Sequence, residues 1–166
     1  MSLQTAIERS ASPGAVAVAL ERLSDAVPGL QARLAADPAL RDAVLAVTAA
    51  SRSLTELLVS EPAAIDLLAD LGQRPVLDHD EEVATGNGLR RWMRLELLRI
   101  AARDLTGLDD LPAVGAALAT LADEVLQAAA RAAGADPGFD PRRGNPRRRR
   151  HLVHHEPVRA EQVGRP

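Results

Sequence analysis

Acidic residues and histidines cluster at two places in the sequence where they could bind a metal ion. Asp78-His79-Asp80 is the only Asp-x-Asp in the chain, and paired carboxylates of this kind hold the metal ions of many group-transfer enzymes. No Gly-Ser turn and no strand-forming segment precedes it, so we expect a solvated acidic loop. Near the C-terminus, a proline-flanked segment groups three histidines with a single glutamate, a pattern typical of adventitious binding: His151, His154, His155 and Glu156. We therefore predict no metal-binding residue.

Nucleophilic catalysis has no support either. The chain contains no Cys and no Gly-x-Ser-x-Gly turn that would present a serine. Ser, His and Asp all occur, but they are not arranged in a recognisable pattern. The sequence therefore predicts no catalytic and no cofactor-binding residue.

Charged residues crowd into one segment of helical character, Leu89 to Leu105. At 100° per residue, one face of this helix has Leu89, Met93, Leu97 and Ile100, and the opposite side has Leu95 and Leu98. A helix that is apolar on two sides normally lies inside a bundle or has a second contact surface. Asp104 falls on the first face, so we expect a buried carboxylate with a partner elsewhere. Glu96 and Arg99 are expected to form a surface pair.

Composition predicts that the other elements are helices too. The sequence has 32 Ala and 25 Leu, whereas Trp92 and Phe139 are its only aromatic residues, so the residues that favour strands are scarce. Proline and capping residues divide the chain into about seven helices, beginning near residues 13, 29, 38, 53, 61, 89 and 112. We predict that Ser53 and Glu56 form a capping box. The expected fold is an all-α compact bundle.

The ends of the chain differ from its centre in composition. We expect a disordered N-terminus over residues 1–12, a helical domain over 13–134, and a disordered Arg- and Pro-rich tail over 135–166. Residues 1–137 have 12 Arg against 20 acidic residues, whereas residues 138–166 have eight Arg against three. The tail could contact nucleic-acid phosphates, but it has no aromatic residue among its arginines to stack on a base, which disfavours that function.

Targeting signals are absent from the sequence as given. Polar residues interrupt the first ten positions, and every apolar run is shorter than the roughly 20 residues that span a bilayer. We expect a cytoplasmic protein without a membrane segment.

The segment Leu89 to Leu108 resembles one in the bacterial glutamine synthetase adenylyltransferases. Its sequence is LRRWMRLELLRIAARDLTGL, and that of the family is LRR-x-x-R-x-E-x-LRIA-x-RDL-x-G-L. Two further segments are similar to helices of the family. The segment Leu118–Glu124 is similar to the family's LS-x-LAD helix. The segment Ala49–Leu58 is similar to its AS-x-x-L-x-x-x-L helix, and Glu61-Pro62 is similar to the start of the proline-led helix that follows. The resemblance covers about residues 15–133.

This resemblance implies an enzyme that transfers AMP from ATP, with Mg²⁺, onto a tyrosine of glutamine synthetase in the regulation of nitrogen metabolism. In the family, a nucleotidyltransferase sheet follows the helices and includes the stretch G-x-G-K-x-G-x-R-E-L-N-x-x-S-D-x-D, whose glycine turn approaches the triphosphate and whose carboxylates hold the metal. No position of this chain matches that stretch. Neither catalytic residues nor a cofactor site can therefore be assigned here.

We therefore expect a truncated, helical N-terminal portion that is inactive alone and contacts glutamine synthetase or a missing catalytic domain. The resemblance points to six residues of the Leu89 helix as contact candidates: Arg90, Arg91, Arg94, Arg99, Arg103 and Asp104. An unpaired apolar side of that helix would favour self-association. The alternative is a free-standing helical adaptor whose basic tail binds an anionic partner, and a chain without function is a third possibility.

Overall fold

A computed structural model describes residues 2–77 and 86–133 of the chain. Eight helices occur in these residues, and no strand does. In chain order they are α1 Leu3–Glu8, α2 Pro13–Ala26, α3 Leu30–Ala36, α4 Pro38–Ala50, α5 Arg52–Ser60, α6 Ala64–Ala69, α7 Asn87–Leu105 and α8 Leu111–Ala132. The all-α prediction is confirmed, and the tail predicted over residues 135–166 lies outside the described residues.

Helix α1 is the element that the sequence did not predict. We expected disorder over residues 1–12, and this is wrong for residues 3–8. The Ser2 side chain caps the helix by accepting a hydrogen bond from the Thr5 backbone N–H. Ala6 is buried and packs with the rest of the core, which stabilises a helix too short to persist alone.

Capping residues and prolines fix where the other helices begin. Asp37 accepts hydrogen bonds from the N–H groups of the first turn of α4, and Pro38 takes the first helical position. Ser51, not Ser53, caps α5, because the Ser51 hydroxyl accepts from the Leu54 N–H. The predicted capping box was therefore placed two residues too late.

Most buried side chains form one hydrophobic cluster around α4, which we call the main core. Helix α4 packs against α1, α2, α3, α5, α6 and α7. The largest wholly buried members of the main core are leucines of several helices, including Leu23, Leu34, Leu58 and Leu98. Burying such side chains is the chief force that holds these short helices together.

Helix α7 has two apolar faces, as the sequence predicted. Leu95 and Leu98 belong to the main core. The other face packs against α8 in a second cluster, the outer core, made of Trp92, Ile100 and Leu121 with partly buried neighbours that include Leu89, Met93, Leu97, Val114 and Val125. Since both faces are covered, α7 offers no unpaired apolar side, and the self-association expected through α7 loses its basis.

Helix α8 is apolar along most of its length but little buried. In the described part of the chain it is the one helix that is long and apolar enough to cross a membrane, judged by length and composition alone. Only 11% of its most apolar window is buried. Glu124, past its midpoint, forms an ion pair with Arg74, and a charge of this kind is unfavourable in a bilayer interior. The cytoplasmic location stays a prediction.

Candidate domain-contact helix

Glycines with left-handed backbones frame helix α7. Gly86 has φ of 65° and precedes the first turn, and Gly107 has φ of 72° just after the last residue, Leu105. Both conformations are costly for residues with a side chain. They define a 19-residue helix on which all six predicted contact residues lie.

Glu96 and Arg99 form an ion pair inside the protein. Arg99 Nη2 donates to Glu96 Oε1 at 2.7 Å, and Arg99 Nε donates to Oε2 at 2.9 Å. Glu96 is only 1% exposed and Arg99 only 8%. The sequence predicted this pairing correctly but placed it on the surface, because helical spacing alone does not show which neighbours cover a residue.

Arg74 connects this buried pair to α8. Its Nε donates to Glu96 Oε1 at 2.8 Å, and its Nη2 donates to Glu124 Oε2 at 2.7 Å. The hydrogen bonds to Glu124 and the negative charge of Glu96 raise the pKa of Arg74 above its ordinary value. One guanidinium thereby joins the segment after α6 to both long helices.

Three side chains of α7 also bind backbone carbonyls of the 71–77 segment, which follows α6. Arg99 Nη1 and Arg103 Nη1 both donate to the Leu71 carbonyl, at 3.3 and 3.1 Å. Trp92 Nε1 donates to the Pro75 carbonyl at 2.9 Å. These bonds satisfy carbonyls that have no helical partner, so α7 holds a non-helical segment in a defined position.

Arg103 also pairs with the connection between α7 and α8. Its Nη2 and Nε donate to the two carboxylate oxygens of Asp109 at 2.6 and 2.7 Å, a bidentate arrangement. The hydrogen bonds from Arg103 hold the pKa of Asp109 below its ordinary value. The neighbouring Asp110 caps α8 instead, accepting from the Ala113 N–H at 2.9 Å.

The remaining contact candidates lie toward solvent. Arg91 forms an ion pair with Glu61. Arg90, Arg94 and Asp104 are exposed on one side of α7, within an arc of about 80° that also contains Leu97 at the edge of the outer core. We call these three residues the exposed strip.

The expectation that Asp104 is buried is wrong. The face to which it was assigned is not covered to its edge, since Leu97 is only partly buried there. Asp104 lies on that face but in the last turn of α7, where the residue is exposed.

Sequence reasoning missed the partners of these arginines. Arg74, Glu61 and Glu124 lie on other elements, 22 to 50 positions away from the residues they bind. Their types gave no signal, because a single Arg or Glu in a polar stretch is usually solvated. Arg99 and Arg103, which were predicted as contact residues, bind other parts of this chain, and their contact with another domain stays a prediction.

No group of three or more His, Asp or Glu side chains that could hold a metal ion occurs in residues 2–77 and 86–133. The weighed candidates Asp78-His79-Asp80 and His151, His154 and His155 with Glu156 lie outside those ranges, as does the basic run Arg147 to Arg150. What the described residues offer is an arginine-rich structural helix with a narrow charged strip.

Comparison with known proteins agrees with the likeness seen in α7. The family glutamate-ammonia ligase adenylyltransferase matches residues 40–150, about two-thirds of the chain. Glutamate-ammonia ligase is another name for glutamine synthetase. No curated protein and no solved structure matches the chain.

The matched range differs from the one that the sequence motifs suggested. It begins in the first turn of α4 rather than near residue 15, and it continues beyond α8 to residue 150, into the stretch predicted as a disordered Arg- and Pro-rich tail. It includes α4 to α8 and the whole Arg74, Glu96 and Glu124 network. The chain belongs to the glutamate-ammonia ligase adenylyltransferase family.

Proposed function

We propose that this chain is a helical, non-catalytic portion of the adenylylation machinery that modifies glutamine synthetase. The transfer of AMP from ATP, with Mg²⁺, would take place on a separate nucleotidyltransferase domain. This chain would position that domain or glutamine synthetase itself. On its own it would not transfer AMP.

The observation that carries the proposal is the role of the charged residues of α7. Glu96, Arg99 and Arg103 match the family's motif, and all three bind other parts of this chain. Carboxylates that hold metal ions in group transfer must be free to face the substrate. Here Glu96, Glu124 and Asp109 are each bound to arginines, which suits a scaffold better than a reaction centre.

The exposed strip is the part of α7 that remains available for contact. Among the described residues, Arg90 makes one hydrogen bond, of 3.4 Å, to Asn87 within its own first turn, and Arg94 and Asp104 lie on the same side of the helix. Because α7 is held on both faces, the strip is presented rigidly. A partner with acidic residues opposite Arg90 and Arg94 would fit it.

The first experiment is an adenylylation assay with this chain, ATP, Mg²⁺ and glutamine synthetase. We expect no AMP transfer by this chain alone, measured as radiolabel on glutamine synthetase, whereas a complete family enzyme labels it under the same conditions. Robust labelling by this chain would overturn the proposal.

The second experiment tests the contact. We expect a nucleotidyltransferase domain from the family, or glutamine synthetase, to bind this chain. We expect the same partner to bind the Arg90→Glu/Arg94→Glu variant at least tenfold more weakly than the parent chain. The matched control is Arg52→Glu, a charge reversal at an exposed position of α5. Equal binding by both variants and the parent chain would remove the exposed strip from the interface.

A further inference from the structure

Helix α8 has a second apolar side that the described part of the chain leaves open. Six residues form a stripe along it at intervals of three and four, in the order Leu111, Gly115, Leu118, Ala122, Leu126 and Ala129. At 100° per residue they fall within an arc of about 80°. All six are exposed, and the three leucines are exposed by 83%, 43% and 50%. We call this set the α8 stripe.

Large and small residues alternate along the α8 stripe. When two such helices lie antiparallel with their centres near residue 120, each leucine meets a small residue at nearly the same height. Leu118 then faces Ala122 of the other helix, Leu111 faces Ala129, and Leu126 faces Gly115. A parallel pair would instead place leucine on leucine and leave gaps between the small residues, and such gaps forfeit contact.

Charge does not oppose this pairing. The α8 stripe contains no ionisable residue, and the charged side chains of α8 lie on its other sides, including Glu124, which is bound to Arg74. In an antiparallel pair the two helix dipoles run in opposite directions, so the positive end of each helix lies beside the negative end of the other.

The remainder of this chain is a poor alternative cover. Residues 134–166 include only five large apolar residues, Phe139, Leu152, Val153, Val158 and Val163, among 12 charged ones. They offer no alternation of large and small residues to match the stripe. A second copy of α8 does offer this alternation, because an antiparallel α8 stripe places its small residues opposite the leucines of the first.

We propose that two copies of this chain associate through the α8 stripe, with the two α8 helices antiparallel. This inference is independent of the proposed role in adenylylation. One pair of 22-residue helices is about 33 Å long, which gives an interface at the small end of the range for specific complexes. We expect a reversible dimer with a dissociation constant of roughly micromolar order.

Sedimentation equilibrium of the full chain from about 1 to several hundred micromolar tests the association. We expect a monomer–dimer equilibrium, and at least a tenfold larger dissociation constant for Leu118→Asp. The matched control, Thr120→Asp, places the same charge on the opposite, exposed side of α8, and we expect it to dimerise like the parent. A chain that stays monomeric throughout, or equal effects of the two substitutions, would overturn the proposal.

Disulfide crosslinking tests the direction of the helices, because the chain has no cysteine of its own. Under mild oxidation, a mixture of Leu118→Cys and Ala122→Cys chains is expected to crosslink faster than either variant alone, and Leu111→Cys with Ala129→Cys should behave in the same way. Thr120→Cys is expected not to crosslink. Preferential crosslinking of Leu118→Cys to itself would indicate parallel helices and overturn the proposed arrangement.

Discussion

Arg74 and Glu96, which are 22 positions apart, form a hydrogen-bonded ion pair of 2.8 Å that ties the segment after α6 to the middle of α7. Glu96 is almost completely buried, whereas Arg74 is 42% exposed and also reaches Glu124 on α8. A buried carboxylate is tolerated only when it is paired and hydrogen-bonded. Arg74 therefore gives the buried Glu96 carboxylate a hydrogen bond and a positive charge in addition to those that Arg99 supplies.

Replacing Glu96 should destabilise the fold strongly. In Glu96→Gln the two arginines lose the carboxylate that they share, and Arg99 is left buried without the charged partner to which it is hydrogen-bonded. We expect the free energy of unfolding to fall by about 3 kcal/mol, as when one partner of a buried ion pair is removed. Urea denaturation followed by circular dichroism measures it. Glu21→Gln, at an exposed position of α2, should stay within about 0.5 kcal/mol of the parent, and an equally small effect of Glu96→Gln would contradict the structural role.

The helices were largely predictable because local signals determine them. Asp37-Pro38 and Asp110 mark helix starts by capping chemistry, and the apolar spacing in α7 assigned Leu98 and Ile100 to opposite faces correctly. Helix α1 was missed because six residues are too few for a helical period to stand out, although Ser2 caps the helix and the burial of Ala6 stabilises it.

The charged network was not predictable in the same way. Local spacing identified the Glu96–Arg99 pair, since the two residues are one turn apart. It could not show that Arg74 and Glu124 would meet there, because ion pairs between distant segments depend on how the helices pack. The same limit explains why Asp104 was wrongly predicted to be buried, because its exposure depends on how far α8 covers α7.

Arg74 should control the environment of Trp92, which is the only tryptophan in the chain. Trp92 is held against the same segment by its hydrogen bond to the Pro75 carbonyl. In Arg74→Met the segment loses its links to Glu96 and Glu124, at a cost of about 1–3 kcal/mol because Glu96 loses a charged partner. We expect the fluorescence of Trp92 to shift to longer wavelength and acrylamide quenching to increase. Arg74, Trp92 and Arg131 line one groove, so Arg131→Met is the control: it removes an arginine from that groove and leaves the bonds of Arg74 to Glu96 and Glu124 in place. Identical spectra for both variants would contradict the link.

Two glycines should respond to alanine with opposite signs. Gly29 precedes α3 with φ of 76°, whereas Gly115 lies in the interior of α8; in the described part of the chain, an added Cβ at either would meet no atom within 4 Å beyond its chain neighbours and its own helix backbone. Gly29→Ala forces a left-handed backbone on a residue with a side chain and should cost about 1–2 kcal/mol. Gly115→Ala should stabilise α8 by about 0.5–1 kcal/mol, because alanine favours helix. Thermal unfolding at a low concentration of protein compares them, and a shift of both midpoints in the same direction would contradict the assignment.

Acid should weaken the connection between α7 and α8 through Asp109. In the folded chain, Arg103 lowers the pKa of Asp109 below its ordinary value of 3.8. The Asp109 carboxylate therefore binds a proton less readily in the folded state than in the unfolded state. The resulting stabilisation of the folded state is complete above pH 3.8, and it is lost as the pH falls through the lower pKa that Asp109 has in the folded state. The thermal midpoints of the parent chain and Asp109→Asn should therefore differ most near neutral pH and converge at low pH. Asp25→Asn, an exposed position of α2, should follow the parent at every pH. A difference between the parent and Asp109→Asn that stays constant down to pH 2 would show that the ionised carboxylate of Asp109 does not contribute to stability.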